Sequence, residues 1–131
     1  MAPLTRINSP ALPIIRSPLS HATQVGGLLF VSGMPPYHGE RAFAVDDFDA
    51  QFRQVMVNLV AVLEAGGSSI SSVVKTTVIL TKRDMFEDMN RLYREHFVAP
   101  YPARTTVVAD LGIDGMLLEI ECVAQIERAA S

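Results

Sequence analysis

The sequence predicts an α+β fold: one mixed sheet with two helices packed on one of its faces. Three observations carry this expectation. Strand-like, β-branched segments gather toward both ends of the chain. Two segments with helical periodicity each follow a strand. The last strand-like segment has one wholly apolar side and one side bearing two carboxylates, as expected where helices cover only one face. With 131 residues the chain is taken as a single domain over 1–131.

Residues 1–20 hold Pro3, Pro10, Pro13 and Pro18. Each proline removes an amide donor and disfavours helix in the residue before it, so 1–15 reads as an extended lead-in. A short strand fits at Thr5–Asn8. His21–Val25 and Leu28–Ser32 read as two strands joined at Gly26-Gly27, since a two-residue hairpin turn needs positive φ. Gly33–Gly39, with Pro35-Pro36, reads as a loop. Asp46 or Asp47 can cap a helix running to about Ala65. Its apolar stripe is Phe48, Phe52, Val55, Leu59 and Val62, stepping by four and three. Gly66-Gly67 supplies the stop. Val73–Thr81 reads as a strand. Asp84, with Glu87 three residues on, resembles a capping arrangement for a second helix to about Phe97. Its stripe is Met85, Met89, Leu92, Tyr93 and His96/Phe97. Pro100 and Pro102 break the chain. Arg104–Ala109 and Leu117–Ile126 then form the last two strands around a Gly112–Gly115 loop.

In the last strand, Leu118, Ile120, Cys122, Ala124 and Ile126 share one face and belong under the helices. Leu117, Glu119, Glu121, Val123 and Gln125 share the other. Carboxylates are depleted in mid-strand, so Glu119 and Glu121 need a reason to be there. The composition points the same way. Residues are 49% hydrophobic and only 19% charged, against about 25% charged in ordinary domains. No apolar run approaches the ~20 residues of a membrane span. The surplus therefore points to an interface between subunits on the uncovered sheet face.

Net charge is −3, with no Lys/Arg cluster. That excludes the electrostatic footprint of a nucleic-acid binder. The single Cys122 forbids an intramolecular disulfide and a cysteine-based zinc cage, and on an apolar face it reads as a buried, inert thiol. His21, His38 and His96 have no metal-ligand spacing. No secretory h-region is present, and a cytoplasmic protein is expected.

Chemistry concentrates in Pro102-Ala103-Arg104-Thr105-Thr106, with Leu118-Glu119-Ile120-Glu121 fifteen residues after the arginine. Arg104 opens a strand and can hold a carboxylate by two parallel hydrogen bonds. Were the two strands adjacent and antiparallel, one residue could hold an anionic substrate while the other handles a water. Spacing alone favours the plainer reading, a structural Arg–Glu ion pair at a subunit interface.

Ser32-Gly33-Met34-Pro35, Leu63-Glu64-Ala65-Gly66-Gly67, Val74-Lys75-Thr76-Thr77-Val78, Met89-Asn90-Arg91-Leu92-Tyr93, Phe97, Pro102-Ala103-Arg104 and Leu118-Glu119-Ile120-Glu121 fall in one order over residues 16–127. In that order and spacing the chain resembles the RidA/YjgF/UK-type family of imine and enamine deaminases. The resemblance implies a chorismate-mutase-like fold and a homotrimer whose sheets line a central barrel, with active sites between subunits. It implies hydrolysis of reactive 2-imino acids such as 2-aminoacrylate to 2-oxo acids and ammonia, with no cofactor. Arg104 matches the residue that binds the substrate carboxylate, and Glu119 the one that positions or activates water. Gly33 and Thr106 match backbone contacts, Thr106 standing where archetypes carry cysteine. Asn90 matches a residue at the site edge. Archetypes carry Pro-Tyr-Ser where this chain has Pro18-Leu19-Ser20. Leu19 cannot donate the tyrosine hydrogen bond, which makes that side of the pocket apolar unless Ser20 or His21 substitutes.

Such departures, with Thr105 and Asp110, fit a non-archetypal member, for example one acting on 2-aminomuconate. Two other classes compete. The same cleft could bind small carboxylic acids without turnover. RNA cleavage, an activity ascribed to some relatives, is disfavoured by the acidic charge. A Tyr37-His38 loop over the cleft and a site role for Tyr101 are further candidates.

Overall fold

The structure is a computed structural model and describes residues 3–127. The first two residues of the expected lead-in, and the last four of the 1–131 domain, lie outside the described residues. Six strands form one mixed sheet: β1 (Thr5–Ile7), β2 (Ala22–Val25), β3 (Leu28–Met34), β4 (Val73–Leu80), β5 (Ala103–Val108) and β6 (Leu118–Gln125). Their order is β1-β2-β3-β6-β4-β5. Only β4 and β5 pair in parallel; all other pairs are antiparallel. Helices α1 (Phe48–Ala65) and α2 (Phe86–His96) complete the domain.

The local signals place most elements within a residue or two. Gly26 and Gly27 take φ of 58° and 84°, the left-handed values that a tight hairpin turn requires. Asp47 caps α1, its carboxylate accepting from the Ala50 amide at 3.1 Å. At the far end Gly67 is left-handed at φ 76°. The Ser68 amide donates to the Leu63 carbonyl, and that of Gly67 to Glu64, so the orphaned carbonyls are satisfied.

The core lies between the helices and one sheet face. Phe52, Val55, Leu59 and Val62 of α1 are fully buried, as are Leu118, Ile120 and Ala124 of β6. Each such large side chain contributes about 1.5–3 kcal/mol of burial. Residues 28, 30 and 107 leave Leu28, Phe30 and Val107 exposed on the other face. Here the apolar surplus of the composition finds part of its place.

Three expectations need correction. β5 and β6 are not neighbours: β4 lies between them, and β5 runs parallel to β4. The α2 crossover carries the chain back before β5 begins, and that forces the parallel pairing. Asp84 caps nothing. Arg83–Met85 forms a 3₁₀ turn, Met85 precedes α2, and no side chain caps it. Finally, Gly33 is strand rather than loop. The β3–β6 register shifts between Val31 and Met34, so an extra residue bulges at Ser32-Gly33. The bulge lets Val31 and Met34, three apart, both reach the core.

Candidate active site

Glu119 is the second residue of β6, opposite Ile79 of β4, on the face without helices. Its carboxylate rests directly on the bulged Gly33. A Cβ there would stand 2.9 Å from the Glu119 Cδ and closer still to its oxygen. Only glycine admits the carboxylate in this position. The bulge thus couples a backbone irregularity of β3 to the placement of the acid on β6. Gly33→Ala should displace the carboxylate from the bulge and move its raised pKa back toward the ordinary carboxylate value, read by NMR titration. The circular dichroism spectrum should be unchanged.

The surrounding cleft measures about 330 Å³. Leu12, Ile14, Leu19, Ile113 and Met116 make much of its wall apolar, and the lead-in forms one side. Among the described residues Glu119 has no side-chain hydrogen bond. Burial raises its pKa above the ordinary carboxylate value, and the neighbouring Glu121 charge raises it further. The group is a desolvated carboxylate facing an open cavity.

His21 also lines this cleft and is buried. Its Nδ1 accepts from the Ser9 amide at 2.9 Å. That bond assigns the ring proton to Nε2, and burial lowers the pKa, so the imidazole is neutral. Leu19, where the resemblance leads one to expect tyrosine, lines the cleft and is half exposed.

Arg104 stands elsewhere. It pairs with Thr76, a fully buried residue on the helix-covered face. Its guanidinium lies over the Tyr93 ring of α2, 5.0 Å from the centroid, and NH1 reaches the Met89 sulfur at 3.6 Å. Tyr93 is itself fixed by a 2.9 Å hydrogen bond with Thr76. Asn90, Arg94, Tyr101 and Pro102 complete a second, open cleft of about 410 Å³. Arg104 takes part in no ion pair among the described residues, so its fork is free for an anion. Thr106 shares this face, opposite Val78, on a strand whose outer edge is unpaired within the chain.

The candidate residues therefore form two groups: Glu119, Gly33 and Leu19 in one cleft, Arg104 and Asn90 in the other. Two strand spacings across and three residues along separate the Cα atoms of Glu119 and Arg104 by roughly 14 Å, and their side chains leave opposite faces. One chain cannot bring them to one substrate.

The remaining candidates resolve simply. His96 donates from Nδ1 to the Leu92 carbonyl at 2.8 Å and packs on Phe52. His38 is exposed in the loop, bridged to Ala42. Cys122 is buried, its pKa pushed up to about 12 by desolvation and the Glu121 charge. Among the described residues no three His, Cys, Asp or Glu side chains gather as a metal site.

Two buried amides and one arginine escaped the sequence reading. Gln51 is fully buried; its Nε2 donates to the Ala44 and Gly115 carbonyls, and its Oε1 accepts from the Leu117 amide. It pins the loop carrying Ile113 and Met116 into the cleft wall. Asn58 holds the carbonyls of Pro35 and Tyr37. Both sit on the α1 stripe, seven residues apart, and a polar residue at a core position was the available signal. Arg41 lines the Glu119 cleft from that loop and had no such signal.

A small α+β domain with an acid cradled on a strand bulge and an unpaired arginine on the edge strand defines the class. The sequence model of the family described as Endoribonuclease L-PSP matches residues 11–126. The chain is 36% identical over 124 residues to Reactive Intermediate Deaminase A, chloroplastic, of Arabidopsis thaliana, covering 92% of this chain and 65% of that protein. It is 33% identical to the 2-iminobutanoate/2-iminopropanoate deaminase of Dermatophagoides farinae, over 97% of this chain and all of that one. The crystal structure of RidA from the Antarctic bacterium Psychrobacter sp. superposes with a TM-score of 0.86 at 32% identity, covering 93% and 99% of the two chains. The chain belongs to the RidA/YjgF family.

Proposed function

We propose that this chain is a cofactor-independent hydrolase of 2-imino and 2-enamino acids, releasing 2-oxo acid and ammonia. The observation that carries the reading is the Glu119 carboxylate, desolvated over Gly33 and without a hydrogen bond among the described residues. Arg104, from a neighbouring subunit, holds the substrate carboxylate, so that the C=N carbon stands before Glu119. Water adds to the protonated imine carbon as Glu119 takes its proton. Glu119 returns that proton to nitrogen and then takes the carbinol hydroxyl proton as the C–N bond breaks and the C=O forms; ammonia leaves with that last proton as ammonium. Gly33 and Thr106 offer backbone groups, Asn90 borders the site, and Leu19 packs on the substrate's apolar part. Imines hydrolyse readily, so positioning and one base suffice.

The separation of Glu119 and Arg104 within one chain favours sites between subunits. The exposed Leu28, Phe30 and Val107 favour burial of the open sheet face in a homotrimer, lining its central barrel. Relatives from Arabidopsis and fission yeast are named chloroplastic and mitochondrial; a cytoplasmic setting is part of this proposal.

The test generates 2-iminopropanoate in situ with an amino-acid oxidase and follows ammonia. Wild type should shorten the imine lifetime. Arg104→Ala should lower kcat/KM by about 100-fold or more, through loss of a bidentate charge-assisted contact and of orientation. An imine lifetime that wild type leaves unchanged would sink the reading. Binding of 2-oxobutyrate without turnover would instead favour a carboxylate-binding module.

A further inference from the structure

We propose that Arg41 is a second anion anchor in the Glu119 cleft, so that the preferred substrates are imino or enamino acids bearing a second, distal carboxylate. The proposal rests on the deaminase reading above and names its substrate class.

Among the described residues, Arg41 and Glu119 alone carry a formal charge in the lining of this cleft. The cation is unspent. Arg41 belongs to no ion pair among the described residues, and its one hydrogen bond there runs from NH2 to the Ile14 carbonyl at 3.2 Å. Its Nε is buried without a partner. Buried polar atoms are nearly always satisfied, and a guanidinium has five donors to satisfy. A carboxylate entering the cleft supplies an acceptor for the terminal Nη1, which has no hydrogen bond among the described residues.

The arginine is also held in place. Asn58, buried on α1, donates to the Pro35 and Tyr37 carbonyls at 2.9 and 2.8 Å, and Gln54 donates to its Oδ1 at 3.0 Å. His38 and Ala42 exchange two backbone hydrogen bonds and close the loop. Arg41 itself adopts φ 69°, a left-handed conformation that costs a non-glycine residue energy and persists where the surroundings enforce it. Its guanidinium sits 5.6 Å from the Tyr37 ring centroid, and Tyr37 is braced edge-on by Phe43. The result is a fixed cation in a cleft whose wall includes the apolar Ile14, Leu19, Ile113 and Met116. Arg104 serves the carboxylate beside the C=N carbon. Arg41 then meets a carboxylate at the other end of a short apolar linker.

The experiment compares the imines that amino-acid oxidases release from glutamate and from alanine, together with calorimetric binding of the stable acids 2-oxoglutarate and 2-oxobutyrate. Wild type should favour the dicarboxylate in both assays. Arg41→Gln keeps the side-chain stem over Tyr37 and removes the charge. It should weaken the dicarboxylate about 10- to 100-fold, the range for one charge-assisted contact, and the monocarboxylate far less, so that the preference is lost. Arg41→Lys, which keeps the charge without the fork, should recover part of the loss. Equal binding of the two oxo acids to wild type, binding of neither, or a preference that survives Arg41→Gln overturns the proposal. If no imine is turned over but the dicarboxylate still binds through Arg41, the deaminase reading fails while the anion anchor stands.

Discussion

Glu119→Gln is expected to abolish imine turnover, by about 10²–10⁴-fold, while raising the melting temperature at neutral pH. The two readouts together separate the competing roles of this residue. A general base loses its function when its carboxylate becomes an amide of the same shape. The stability change has the opposite sign to that of a structural ion pair. Burial and the Glu121 charge raise the Glu119 pKa in the folded chain. The folded state therefore prefers the protonated form, and holding the charge at neutral pH costs stability. Glutamine removes that cost. The gain should be on the order of 1–3 °C for a chain of this size. It should shrink as pH falls through the raised pKa, where wild-type Glu119 becomes neutral. Were Glu119 half of a structural pair with Arg104, glutamine would lower the melting temperature at neutral pH instead. The same raised pKa sets the acid limb of the wild-type rate profile above the ordinary carboxylate range, and Glu121→Gln should move that limb down.

What the sequence revealed and what it concealed divide along one physical line. The α1 stripe, the Gly26-Gly27 turn and the two-faced β6 were legible because each depends on periodicity or backbone conformation over a few residues. The parity of Glu119 against Ile120 correctly placed the acid on the open face. Register between distant strands has no such local signal. Nothing in residues 104–119 says that β4 intervenes, so the interval of fifteen residues left adjacency open where the sheet gives two strand spacings. The same limit hid the bulge at Ser32-Gly33, which exists only relative to β6. Arg41 was invisible for a different reason. It lies in an irregular loop whose shape comes from Asn58, seventeen residues away on a helix. The family resemblance supplied Arg104 and Glu119 as partners, and the protomer geometry sharpens this: they can be partners only between chains.

That geometry gives the most decisive result expected of this protein, recovery of activity from two inactive variants. Arg104→Ala and Glu119→Gln should each be nearly inactive alone. In a mixed assembly, a junction formed by the Glu119 side of an Arg104→Ala subunit and the Arg104 side of a Glu119→Gln subunit contains both wild-type residues. With random assembly at equal amounts, each side is the required subunit half the time. About one junction in four is then intact, and activity should return to about a quarter of wild type. This fraction is the same for any closed ring, because it depends only on neighbouring pairs. The recovery therefore tests the junction, and sedimentation of the same mixture tests whether the ring is a trimer. Mixing the finished proteins without subunit exchange should restore nothing, whereas co-expression or joint refolding should. A site built within one chain predicts no recovery under either condition, because every such site would carry one defect. The roughly 14 Å and the intervening sheet between Arg104 and Glu119 rule against that arrangement, since a 2-imino acid places its carboxylate on the very carbon that water attacks.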